Sequence, residues 1–233
     1  MVSMFDATSR ESQQLEIRTL DQSDEQALQS YLLKEFITYE PLSVSIGLKS
    51  TEAEPLVKYH CQEGVSSQMS LAYYDQKGDI VAVRLCSALS RPSAELKTCN
   101  DSVEKETKSE FPEKIAKIAT LLGELENKVW ELLSPKYTNL ISLLILSSSH
   151  HYARRGLASK LMTFDIEKLK EKYDGIVTVA TSFKSQNMLA KLGYRTLAET
   201  KLSDWKNAQN RQIFICDDGT TSAKLMFLDF LAK

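Results

Sequence analysis

Residues 140–161 read LISLLILSSSHHYARRGLASKL: an apolar run, a polar turn with two adjacent arginines, a glycine, and the start of a segment with helical spacing. Leu140 to Leu146 predicts a strand, and GLASKLMTFDIEKLKEKY predicts a helix, so Arg154, Arg155 and Gly156 lie at a strand-to-helix junction. The first amides of such a helix have no intrahelical acceptor and point outward as an anion site. Gly156 has no Cβ, so a ligand can approach its backbone, while Arg154 and Arg155 can neutralise a phosphate or pyrophosphate. These residues read as a seat for a phosphate-bearing small molecule.

Composition agrees with a small-molecule partner. The chain has 233 residues, 42% of them hydrophobic, enough for one sizeable core. It is read as a polar tail, residues 1–14, followed by one domain, residues 15–233. Lys plus Arg number 29 against 31 acidic residues, a balance that argues against nucleic acid or a membrane surface as partner. No apolar run approaches the length of a membrane span, and MVSMFDATSRESQQ lacks the basic and apolar regions of a signal peptide, so a cytoplasmic protein is expected. Cys61, Cys86, Cys99 and Cys216 are far apart without a CxxC pair and are expected to be reduced thiols. His150 and His151 have no third His or Cys at ligand spacing, so no metal is expected. GLASKL also lacks the glycine-framed lysine of a P-loop.

Working outward, LEIRTL (15–20) alternates like a strand, and DQSDEQALQSYLLKEF follows with a helix start signal and helical spacing. Pro41 in EPLSVSIGL is expected to end that helix and lead into a short one, with another near 51–63. MSLAYYDQKGDIVAVRLCSAL predicts a β-hairpin turning at Gly78. Residues 91–110 are polar and charged and predict a surface insertion. Residues 112–133 place Ile115, Ile118, Leu122, Leu125, Val129 and Leu132 on one face of a single long helix. After the quoted stretch come a strand, GIVTVATS, a short helix, SQNMLAKLGY, closed by Gly193, and a strand within YRTLAETKLSDW. RQIFICDDGTTSAKLMFLDFL predicts a last hairpin turning at DDG.

The order strand, basic glycine turn, helix, strand, short helix ending in KLGY, strand resembles the GNAT acetyltransferase superfamily. Within it, FITYEPLSVSIGL, LSSSHHYARRGLASKL and ATSFKSQNMLAKLGY are similar to three blocks of the invertebrate-type arylalkylamine N-acetyltransferases, from about Leu15 to the C-terminus. The family turn opens with Arg or Gln where this chain has Ala153, and Ser148 stands where relatives carry a small apolar residue. The resemblance implies an α/β fold with a mixed, mostly antiparallel central sheet, flanked by helices and splayed near the cofactor strand. It implies acetyl transfer from acetyl-CoA to a small primary amine by direct attack in a ternary complex.

On the matching positions it implies a cofactor seat. Leu146, Ser147 and Ser148 would pair their backbone with the pantetheine arm, and Arg154, Arg155, Gly156, Leu157, Ala158 and Ser159 would hold the pyrophosphate. Asn187 would touch the pantetheine or sit on an exposed helix face. The attacking amine must lose a proton, and the EPL block selects Glu40 as general base, its alternative being a solvated helix-end residue. The departing thiolate needs a proton or hydrogen bond, for which the resemblance points to Ser185, supported by Thr181 and Ser182. Ser185 is equally placed to cap the next helix. Cys86, the one candidate thiol nucleophile, is expected to be a packed core residue. The rival reading is a non-catalytic acyl-CoA-binding or interaction protein of the same fold, suggested by Ala153 and Ser148.

Overall fold

The structure is a computed structural model that describes residues 15–93 and 112–232. The expected tail, Cys99, and the expected insertion beyond its first residues lie outside the described residues. The strands are β1 (Glu16–Thr19), β2 (Leu71–Tyr74), β3 (Ile80–Ser90), β4 (Asn139–Ser148), β5 (Gly175–Ala180), β6 (Arg195–Lys201) and β7 (Ser222–Asp229). They form one sheet in the order β1-β2-β3-β4-β5-β7-β6, in which only β4 and β5 run parallel.

Helices α1 (Glu25–Tyr31), α2 (Pro41–Ser45), α3 (Ser50–Ser66), α4 (Glu113–Glu126) and α5 (Val129–Leu132) precede β4. Helices α6 (Leu157–Thr163), α7 (Ile166–Lys170) and α8 (Phe183–Lys191) follow it. Leu28, Val57, Cys61, Ile115, Leu121 and Leu125 pack with Val83, Leu85, Val177 and Phe227 in one buried cluster. Met162, Leu169 and Leu189 pack with Cys86, Ile141, Leu143, Ile176 and Met226 in another. Alternation along the strands divides the sheet between the two layers.

Two features open the sheet at the quoted stretch. The β4–β5 ladder pairs Leu140 with Gly175, Ile141 with Ile176 and Ser142 with Val177, and then stops. Just beyond, the Thr178 hydroxyl donates to the Leu143 carbonyl at 2.9 Å. In the β3–β4 ladder, Leu85 faces Ile145 but Cys86 faces Leu143, so Leu144 is the extra residue of a bulge. Leu143 therefore packs in one layer and Ile145 in the other, as a bulge that re-aims a strand requires. Beyond Ser142 and Val177, β4 and β5, the only parallel pair among the described strands, diverge.

The structure departs from the local sequence pattern in four places. The single helix expected over 112–133 is broken at Asn127–Lys128, and Leu121, not Leu122, lies fully buried, while Leu132 is exposed. Beyond the break, Arg91 donates to the carbonyls of Trp130, Leu133, Ser134 and Tyr137, which collects the chain leaving α5. The helix expected after Gly156 is split into α6 and α7, because Asp165 pairs with Arg84 of β3. The run RQIFIC forms no strand, since β7 already has β5 on one edge and β6 on the other. Finally, Pro41 does not end the first helix. That helix passes into a π-helical turn, Leu32–Phe36, and Pro41 sits in the first turn of α2, where its missing N–H costs nothing.

Candidate active site

Glu40 is the N-cap residue of α2, and every acceptor direction of its carboxylate is taken. Oε1 accepts the Leu42 amide at 3.1 Å and the Thr181 hydroxyl at 2.8 Å. Oε2 accepts the Ser43 amide and the Ser43 hydroxyl, both at 2.7 Å. The amides are fixed by the helix start, whereas the two hydroxyls can rotate. A proton reaching this carboxylate thus displaces a hydroxyl donor and leaves the backbone contacts intact. Thr181 directly follows β5, so the fold brings together two residues 141 positions apart, both selected from the sequence.

Ser182 and Ser185 are joined as well, with their roles at the helix start exchanged. Ser182 caps α8: its Oγ accepts the Ser185 amide at 3.1 Å and donates to Ser185 Oγ at 2.8 Å. Ser185 thus lies inside the first turn with a free rotor, and its expected alternative as the cap is corrected. Asn187 is exposed on α8. The Phe183 amide donates to Thr220 Oγ1 at 2.8 Å, and Thr220 donates to Asp218 at 2.9 Å, which ties the β6–β7 connection to this helix start. From the same connection the Cys216 thiol reaches the Pro41 carbonyl at 3.6 Å.

Across the divergence, Ser147 is buried near the end of β4, and its hydroxyl lies 3.3 Å from the Tyr31 hydroxyl. Leu146 and Ser148 are half-buried. Gly156 has φ +72°, in the left-handed region that favours glycine, and is the N-cap of α6 without a side-chain cap. The amides of Leu157, Ala158 and Ser159 therefore open onto the turn. Leu157 is buried as the anchor, Ala158 and Ser159 are half-buried, and Arg154 and Arg155 are exposed. The Arg155 guanidinium lies over the Tyr152 ring at 4.7 Å, and the Tyr152 hydroxyl donates to Asp75 in the β2–β3 turn at 3.3 Å. Arg154 has φ +65°, a conformation that few non-glycine residues adopt.

Cys86 is 1% exposed, and burial pushes its thiol up to about 11, so it is a packing residue. Ser43 and Glu35 escape the sequence reading. Ser43 could have been found as a hydroxyl three residues after a capping carboxylate. Glu35 could have been found as a carboxylate on the apolar stripe Leu28, Tyr31, Leu32, Glu35, whose spacing i, i+3, i+4, i+7 is that of a buried face.

No family model and no curated protein matches the sequence, but solved structures do. Arylalkylamine N-acetyltransferase 2 from Aedes aegypti superposes with TM-score 0.81 at 24% identity, over 93% of this chain and 99% of its own. A Drosophila melanogaster polyamine N-acetyltransferase that forms N-acetylagmatine gives 0.75 at 18%, over 93% and 100%. Arabidopsis thaliana NAA60 in complex with acetyl-CoA gives 0.54 at 12%, over 93% and 98%. With its order of elements, its one parallel strand pair and its divergence at β4 and β5, the chain has the GNAT fold of these N-acetyltransferases.

Proposed function

We propose that the protein acetylates a small primary amine, an arylalkylamine, with acetyl-CoA as the acetyl donor. The observation that carries this reading is the Glu40–Thr181 hydrogen bond beside the divergence of β4 and β5. It supports the reading because, with acetyl-CoA lying between the strands, the amine would meet a carboxylate with rotatable hydroxyl partners.

Acetyl-CoA supplies an activated acetyl group. The chain's own part is to hold it and to move protons. The turn at Gly156, with the α6 amides and the two arginines, would hold the pyrophosphate, and the backbone of Leu146 to Ser148 the pantetheine arm. Glu40 would take a proton from the ammonium, directly or through water, as the Thr181 or Ser43 hydroxyl swings away. The amine nitrogen then bonds to the carbonyl carbon, the C–S bond breaks, and the second nitrogen proton passes to the departing sulfur, which leaves as the coenzyme A thiol. Ser185 Oγ, held by Ser182, would donate a hydrogen bond to the departing thiolate.

An aryl group on the amine is favoured by the side chains beside these residues. Tyr39 precedes Glu40, Val44 follows on α2, Phe183 follows Ser182, and Ile215 precedes Cys216, and all four are exposed. Covering such surface with an aromatic ring is worth about 1.5–3 kcal/mol, roughly tenfold or more in kcat/KM over an alkylamine without the ring. Thiol release measured with acetyl-CoA and a panel of arylalkylamines, agmatine and polyamines tests both parts. Release with none of them would leave the non-catalytic acyl-CoA-binding reading, and a polyamine preference would remove the aryl specificity.

A further inference from the structure

Glu35 is 9% exposed and lies on the buried stripe of the first helix, an expensive place for a carboxylate without a task. Its one hydrogen bond among the described residues is long-range: Oε2 accepts the His150 amide at 2.9 Å. That amide is where β4 gives way to the cofactor turn. The Ser149 amide still donates to Val81 in the sheet at 2.8 Å, while those of Tyr152 and Ala153 already donate within the 3-10 turn, to Ser149 and His150. His150 falls between the two systems, and Glu35 supplies the acceptor that neither provides.

Two neighbours of Glu35 reach the same place. The Tyr31 hydroxyl meets Ser147, and the Tyr39 ring stacks on the His150 imidazole with centroids 5.2 Å apart and planes 15° apart. The π-helical turn makes this possible: the Ile37 amide donates to Leu32 at 2.9 Å, one residue further back than in an α-helix. Such turns recur at functional sites. Segment 31–40 thus clasps the root of the cofactor turn at three points and ends in Glu40.

Resting on the acetyl-transfer reading, we infer that Glu35 is a positioning residue for acetyl-CoA: as acceptor for the His150 amide it fixes the direction in which the chain enters the turn of Arg154 to Gly156. The test compares Glu35→Met, which fills the space without an acceptor, with Glu35→Gln, which retains one. Acetyl-CoA affinity is read by titration calorimetry, folding by thermal denaturation, and exchange of the His150 amide in the ligand-free protein.

In folded Glu35→Met, acetyl-CoA affinity falls by about tenfold or more and the amide exchanges faster by a similar factor, as expected for losing a charge-assisted hydrogen bond. Glu35→Gln stays within about threefold on both readings, and the KM for amine at saturating acetyl-CoA stays nearly constant. Unchanged acetyl-CoA affinity in Glu35→Met, or an equal loss in both variants, overturns the inference. Should Glu35→Met fail to fold, a loss in Glu35→Gln beyond about threefold overturns it, and retention there with His150 amide exchange near wild type supports it. Wild-type protein that does not bind acetyl-CoA overturns the acetyl-transfer reading itself.

Discussion

Glu40 caps α2 and is proposed as the base, and substitution separates the two roles. As a cap it satisfies two amides of α2, worth about 1 kcal/mol of stability. As a base it would be worth far more to turnover. Glu40→Ala is expected to lower kcat/KM by roughly 10²-fold or more near neutral pH, with acetyl-CoA affinity little changed. Steady-state kinetics showing wild-type turnover in that variant would remove Glu40 from the chemistry. Cys86 gives the opposite expectation, because burial holds its thiol protonated at neutral pH. Cys86→Ala keeps turnover, and intact-mass measurement finds no acetyl-enzyme with acetyl-CoA alone. An acetyl adduct on Cys86 would replace direct attack by a two-step route.

At the scale of elements, the turn at Gly156 and the break before α7 bound one short helix, α6. A Cβ added to Gly156 meets nothing within 4 Å in the chain itself, but φ is +72°. Gly156→Val therefore strains the backbone, and its methyls intrude on the face where phosphates would approach. Calorimetry on the folded variant should show severe loss of acetyl-CoA binding, and unchanged affinity would mean that the cofactor sits elsewhere. At the other end, Arg84 is fully buried on β3. It contacts both Asp165 oxygens, at 2.7 and 3.0 Å, and donates to the carbonyls of Leu161 and Met69. Arg84→Met removes the partner of Asp165 and should cost on the order of 3–5 kcal/mol by urea denaturation. Adding Asp165→Leu should recover much of that loss, since an apolar pair no longer leaves a lone charge. A double variant no more stable than the single one would show that the carbonyl contacts, not the charge pair, hold the break.

For the whole molecule, the pH dependence of stability distinguishes His60 from the acids. Desolvation lowers the His60 pKa to about 4 from an ordinary 6.5, so the folded state holds it neutral while the unfolded state protonates it. Between these values the unfolded chain binds more protons, and stability falls as the pH drops from about 6.5 toward 4. The backbone hydrogen bonds that lower Asp75, Asp174 and Glu52 withdraw their contribution as the pH falls through the ordinary carboxylate range and below it, so the His60 decline begins first. Urea midpoints between pH 6.5 and 4.5 should therefore decline in the wild type and decline less in His60→Gln. Parallel curves would assign the decline to other groups.

The strand–turn–helix order of residues 140–161 was legible in the sequence, and the family resemblance singled out the acidic EPL segment and the hydroxyl-rich ATSFKS one by one, but not their meeting. Apolar runs, a glycine at a turn and a proline beside a carboxylate act over a few residues, and their order lays out the fold. What no local pattern contains is the choice of partner across the sheet. Arg84 meeting Asp165 divides one periodic segment into α6 and α7. Strands β5 and β6 occupy both edges of β7, which leaves RQIFIC without a ladder. Ser182 takes the cap because its Oγ faces the Ser185 amide, although both serines have suitable chemistry. Glu35 reads as a misplaced charge until His150, 115 residues away, presents an amide with no other acceptor. Propensity and periodicity select elements because they are short-range. The site was decided by the tertiary structure, because a buried polar group is tolerable only where the fold supplies its partner.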